Sequence, residues 1–222
     1  MAQFIDQAVQ NQVKEVFSDL KYPVHLLLFV SKNIELCEYC NETQQLLEEV
    51  VSLSDLLSLE VVDMDVEKDV VNQYQIERVP GIVIAAKEDH SIIDLGVRIS
   101  GIPAGHEFNT LINDLILVSK RESGLEKKTR DALKKIMKPV HMLVFTTPTC
   151  PYCPRAVVLA HQMAMENPNI VAEMIEAMEF PELSDRFEVS GVPQTTINFG
   201  KRTLIGAVPE ERLLDEILRA IE

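Results

Sequence analysis

Two kinds of hydrophobic pattern alternate along this chain. In one, apolar residues run together for about seven positions, as in "YPVHLLLFV" (22–30) and "KPVHMLVFT" (138–146), and such runs read as buried strands. In the other, apolar residues recur every three or four positions. An opening helix carries Phe4, Ile5, Ala8, Val9, Val13, Val16 and Phe17 on one face, and its counterpart carries Leu125, Ala132, Leu133 and Ile136. After each first strand the pattern predicts a helix (41–52; 153–166), a second strand in "LEVVDMDV" or "NIVAEMIEA", and a short helix. A hairpin follows (82–86 with 91–98; 195–199 with 202–206), then a closing helix with Phe108, Leu111, Ile112 and Leu115, or Leu213, Leu214, Ile217 and Leu218, facing inward. Alternating strands and helices that end in a hairpin predict an α/β fold with a mixed sheet covered on both faces.

The elements occur twice in the same order. Each first strand starts at Pro-Val-His, each is followed by a C-x-x-C pair, and each hairpin is preceded by Val-Pro. The proline follows the second cysteine by 40 positions in both cases, Cys40 to Pro80 and Cys153 to Pro193. The chain is therefore an internal duplication. Its 222 residues suit two units of ~110 residues, each able to bury a core. We place the units at 1–119 and 120–222, joined at the polar, glycine-ended segment "SKRESG".

Cysteine use changes the picture from fold to chemistry. The chain has four cysteines, all in the two pairs Cys37/Cys40 ("CEYC") and Cys150/Cys153 ("CPYC"). A net charge of −14 excludes nucleic acid as an expected partner, because phosphates would be repelled. The start lacks a basic segment followed by an apolar one, and no apolar run is long enough to cross a bilayer, so no membrane partner is expected and the cytoplasm is the expected location. Structural disulfides are rare there, which leaves catalysis or metal binding for the paired thiols.

Each pair stands where a strand ends and a helix begins. Cysteines at i and i+3 on a first helical turn are close enough to form a disulfide. The unpaired N–H groups and macrodipole of the helix start stabilise a thiolate, which makes Cys37 and Cys150 the expected nucleophiles and Cys40 and Cys153 the resolving thiols. The rival is one zinc held by four thiolates. Against it, 109 residues separate the pairs, and each pair has its own strand and helix. Val79-Pro80 and Val192-Pro193 are the second element. A cis bond at each would turn the valine backbone outward, where its N–H and C=O could pair with an extended substrate strand.

These motifs resemble the thioredoxin and glutaredoxin superfamily, duplicated. "CPYC" is the glutaredoxin-type dithiol, and "YQIERVP" is similar to the segment before the thioredoxin cis-proline. The nearer resemblance, over almost the whole chain, is to the two-unit, glutaredoxin-like protein disulfide oxidoreductases. It implies two tandem thioredoxin-like units, each a mixed β-sheet flanked by helices. It also implies dithiol–disulfide exchange with protein clients, a thioredoxin-reductase-like electron donor, and neither cofactor nor metal. The chain departs from the pattern in two places. Where thioredoxins carry a buried acid six positions before the first cysteine, it has Ser31 and Val144. The glutathione-site lysine and Gly-Gly of glutaredoxins are replaced by Thr147-Pro148-Thr149 and Gly206-Ala207.

Other residues are weighed against plainer roles. His25 and His141 are expected to be structural, each satisfied by a backbone group, rather than proton relays. Glu60, Asp63, Glu173 and Glu176 are expected on solvated faces, the alternative being that one acid per unit accepts the resolving thiol's proton. Tyr39 and Tyr152 are expected to pack over the dithiols, limit access and touch substrate. Met163, Met165, Met174 and Met178 read as core filling rather than a copper site. Two functions compete with a protein disulfide oxidoreductase. One is an electron carrier like the N-terminal module of flavin-dependent alkyl hydroperoxide reductase, which serves a peroxidase; the other is a zinc-binding or chaperone-like module.

Overall fold

A computed structural model describes residues 4–89 and 91–222. The first half runs α1 (Gln7–Phe17), β1 (Val24–Val30), α2 (Cys40–Val51), β2 (Leu57–Asp63), α3 (Lys68–Tyr74), β3 (Gly81–Glu88), β4 (Ser91–Ile93), β5 (Val97–Ser100) and α4 (Glu107–Lys120). The second half runs α5 (Lys127–Leu133), β6 (Val140–Thr146), α6 (Cys153–Ala164), β7 (Ile170–Glu176), α7 (Pro181–Arg186), β8 (Gln194–Ile197), β9 (Arg202–Ile205) and α8 (Glu210–Ala220). The fold is α/β with thioredoxin-like units, and both first strands fall where the apolar runs place them.

One element differs. The single strand expected over 91–98 is two strands, β4 and β5, separated at Gly96, whose φ of 73° breaks the extended run. A side chain there would strike the Ile170 carbonyl, 2.2 Å from the Cβ position, so only glycine fits.

The sheets of the two halves are one sheet. Among the described residues it has nine strands in the order β2-β1-β3-β5-β7-β6-β8-β9, with β4 beside β3. The join is the parallel pair β5–β7, with Ile99 opposite Met174. An edge strand of each half is thereby removed from water. On one face of the join α4 packs along α6, and Leu111, Leu115, Val157 and Ala160 are fully buried there. The segment 119–124 is pinned down: the Ser119 hydroxyl donates to the Tyr22 carbonyl at 2.7 Å, and Arg121 Nη2 donates to the Pro23 carbonyl at 2.9 Å.

Strand directions place the chemistry. β1 is antiparallel to β3, β3 to β5, and β5, β7 and β6 are mutually parallel. β1 and β6 therefore point the same way, and the segments that leave their C-terminal ends carry the dithiols to one edge of the sheet. Four strand spacings separate β1 from β6, roughly 19 Å.

Candidate active site

Cys37 and Cys40 are joined as a disulfide with Cα atoms 5.4 Å apart, and Cys150 and Cys153 likewise at 5.5 Å. All four are buried. Each regular helix begins at the second cysteine, with Tyr39 or Tyr152 as N-cap, so the first cysteine lies in the turn just before the helix rather than on it. That turn is fixed by the backbone: Cys37 N–H donates to the Asn33 carbonyl and Cys150 N–H to the Thr147 carbonyl, both at 3.1 Å. The loop from strand to first cysteine is longer in the first half, since Cys37 follows Val30 by seven positions and Cys150 follows Thr146 by four.

The Val79–Pro80 and Val192–Pro193 bonds are cis. Val79 packs in the same buried cluster as Cys37, Cys40 and Phe29, and Val192 packs on the cluster around Leu143, Phe145 and Ile175. The Pro80 carbonyl accepts from Gly101 N–H at 2.9 Å, and the Pro193 carbonyl from Gly206 N–H at 2.7 Å. Tyr39 borders a cavity with Val79 and is 37% exposed, whereas Tyr152 is 70% exposed.

The two histidines lie near the starts of β1 and β6, the ends away from the thiols. Val30 lies five positions along the strand from His25, roughly 16 Å, too far for a relay. Their partners are side chains rather than the expected backbone groups: His25 meets Ser58 at 2.8 Å and Glu60 at 3.1 Å, and His141 meets Glu173 at 3.2 Å. Met163 and Met174 are core residues, while Met178 is exposed.

The strand acids divide. Glu60 is exposed, and Asp63 pairs with Lys32 at 3.0 Å. Glu173 and Glu176, expected on a solvated face, are buried. The reason is position: β2 is an edge strand, whereas β7 lies between β5 and β6. Burial alone would raise the Glu173 pKa, but the hydrogen bond from His141 and the Arg78 guanidinium, at 2.9 Å, hold it at about 2. Arg78, adjacent to Val79, thus reaches across to the second half.

A further buried carboxyl escaped the sequence reading. Glu107 opens α4 and is 1% exposed; its Oε1 has no hydrogen-bond partner, and burial, only partly offset by the Thr110 hydroxyl and His161, lifts its pKa to about 7. Two ties set its place. His106 N–H donates to the Pro148 carbonyl at 3.0 Å, and two turns on Asp114 meets His161 of α6 at 2.7 Å. α4 and α6 therefore run side by side from the same end, and Glu107 follows the residue that bonds to the loop before Cys150. The signal lay in a glutamate at the apolar start of a helix, which sequence alone reads as a first-turn acid.

A thioredoxin-like fold with two C-x-x-C pairs, each closed as a disulfide at the head of a helix, defines a thiol–disulfide oxidoreductase. Four thiolates do not converge on one metal, because the pairs lie four strands apart. Comparison with known proteins agrees. Residues 140–219 match the thioredoxin domain family model. The chain superposes on a protein disulfide oxidoreductase from Aeropyrum pernix K1 with TM-score 0.87 and 33% identity, over 96% of this chain and 91% of that one. It is equally similar in fold to the NTD_N/C domain of the alkylhydroperoxide reductase AhpF from Enterococcus faecalis, with TM-score 0.87 and 27% identity over 96% of this chain and 100% of that one. In sequence it is 29% identical over 188 residues to the corresponding alkyl hydroperoxide reductase protein of Staphylococcus aureus, covering 82% of this chain and 34% of that protein. The chain thus spans about a third of the curated relatives it matches first. It belongs to the two-unit protein disulfide oxidoreductase family of the thioredoxin superfamily.

Proposed function

We propose that the protein exchanges disulfides with protein clients, through units 1–119 and 120–222 each carrying its own dithiol. The observation that supports this most is that both pairs open on the same sheet edge, each within a unit that also supplies a Val-Pro. In the reductive direction the Cys150 thiolate attacks a client disulfide and one client sulfur leaves as a thiolate. Cys153 then attacks the mixed disulfide and frees the second client sulfur, so two electrons pass to the client and Cys150–Cys153 is left oxidised. Cys37 and Cys40 act in the same way. Val79-Pro80 and Val192-Pro193 hold the client backbone, with Tyr39 and Tyr152 at the rim. Glu107 takes the Cys153 proton, a role suited to a buried carboxyl with a pKa of about 7. A thioredoxin-reductase-like donor restores the dithiols, and the setting is the cytoplasm. Among the described residues no helix is long and apolar enough to cross a membrane.

A second reading is an electron carrier to a peroxidase, favoured by the match along the whole E. faecalis AhpF domain. Trapping tests the first. Reduced Cys153→Ser protein mixed with a disulfide-bonded client is expected to form a covalent, dithiothreitol-reversible adduct through Cys150. An adduct that forms only with a peroxidase favours the carrier.

A further inference from the structure

The first dithiol opens beside a cavity of about 430 Å³ that both halves build. The three extra loop residues before Cys37 are part of its wall. Ile34 and Leu36 stand 75% and 57% exposed beside it, and Phe180 of the second half closes the apolar side. Val79, next to the cis-proline, lies in the lining as well. The remaining lining is acidic: Glu35, Glu38 and, from the second half, Glu179.

No lysine or arginine lines this cavity among the described residues. Arg78, adjacent to Val79, is taken up by Glu173 and Glu77. Glu179 is held in place by the Ile102 N–H, which donates to its Oε1 at 2.7 Å. Behind it, Glu176 is 3% exposed and its Oε1 has no hydrogen-bond partner. Burial, with Glu176 and Glu38 nearby, raises the Glu179 pKa to about 7 despite the Ile102 N–H. A cation brought into the cavity would relieve this crowding, and the exposed apolar side chains would gain cover.

We propose that this two-half cavity docks a client segment bearing lysine or arginine beside an apolar residue, so that the Cys37/Cys40 dithiol selects cationic clients. The proposal rests on the reading of disulfide exchange with proteins given above. The second dithiol differs: its strand-to-cysteine loop is three residues shorter, and Gly191 before its Val-Pro faces open space.

The test uses the full chain with Cys150→Ser and Cys153→Ser, and peptides whose cysteine is joined by a disulfide to a small chromogenic thiol. The peptides differ only in a Lys-Leu, Gln-Leu or Glu-Leu flank. Each turnover passes two electrons from the reduced dithiol to the peptide disulfide and leaves Cys37–Cys40 oxidised. At low ionic strength the Lys peptide is expected to react ~10-fold or more faster than the Glu peptide, with the ratio falling toward one at high salt. Glu38→Gln and Glu179→Gln should each lower the ratio several-fold; Glu38 is exposed, so its replacement keeps the fold. The chain carrying Cys37→Ser and Cys40→Ser should show a much smaller ratio, which separates the cavity from the overall negative charge. An equal ratio at both dithiols, or one unmoved by either glutamate substitution, overturns the proposal while leaving disulfide exchange intact. No reaction with any peptide at either dithiol overturns the exchange reading itself, and this proposal with it.

Discussion

Glu107 and Glu173 are both buried carboxyls, and their surroundings drive them in opposite directions. Glu107, raised from 4.5 to about 7, favours the folded state fully below pH ~4.5, and that contribution is lost as pH rises through 7. Glu107→Gln should therefore gain about 2–3 kcal/mol of stability at pH 8 relative to its effect at pH 5, read from urea midpoints at the two pH values. The same variant should flatten the pH dependence of exchange at Cys150/Cys153; an unchanged profile would remove Glu107 from the proton path. Glu173, held at about 2, contributes above pH ~4.5 and loses that contribution as pH falls through 2. Glu173→Gln strips the buried Arg78 of its main partner and should cost about 3 kcal/mol at pH 7, shrinking toward pH 3. A uniform cost across that range would contradict the assignment.

At the scale of elements, the two dithiol helices differ in their charge. α2 has Glu42 in its first turn and Glu38 just before it, whereas the first turn of α6 has no acid and carries the exposed Arg155. Carboxylates at a helix start oppose a thiolate by ~0.3–1 kcal/mol each, so Cys150 should be the readier nucleophile by up to ~10-fold. Arg78 does not offset this, being engaged by Glu173. With an uncharged protein client, Cys150→Ser should cost the larger share of reductase activity; equal losses from Cys37→Ser would contradict the ranking. The helices, the first strands and the thiol pairs were legible because their patterns are local. The burial of Glu173 was not, since "LEVVD" and "AEMIE" carry the same motif and only the long-range pairing β5–β7 makes one strand an edge and the other central. The same pairing hid Arg78's partner and the place of Glu179. The split of β4 from β5 turns on Gly96, whose tight approach to Ile170 comes from the other half.

For the whole molecule, the shared sheet makes the halves one cooperative body. β5 and β7 would each become a bare edge if the halves parted, and the apolar contact of α4 with α6 would be exposed. Urea unfolding followed by two probes, one in each half, should show a single coincident transition; two separate midpoints would contradict the joined core. Roughly 19 Å between the dithiol-bearing strands also sets the two sites apart along the shared sheet. The central claim is that this edge of the sheet reduces disulfides in proteins. Insulin reduction with dithiothreitol tests it most directly. The intact chain should accelerate reduction well above the dithiothreitol rate, and Cys37→Ser combined with Cys150→Ser should return it to that rate. An intact chain no faster than dithiothreitol alone would contradict the account.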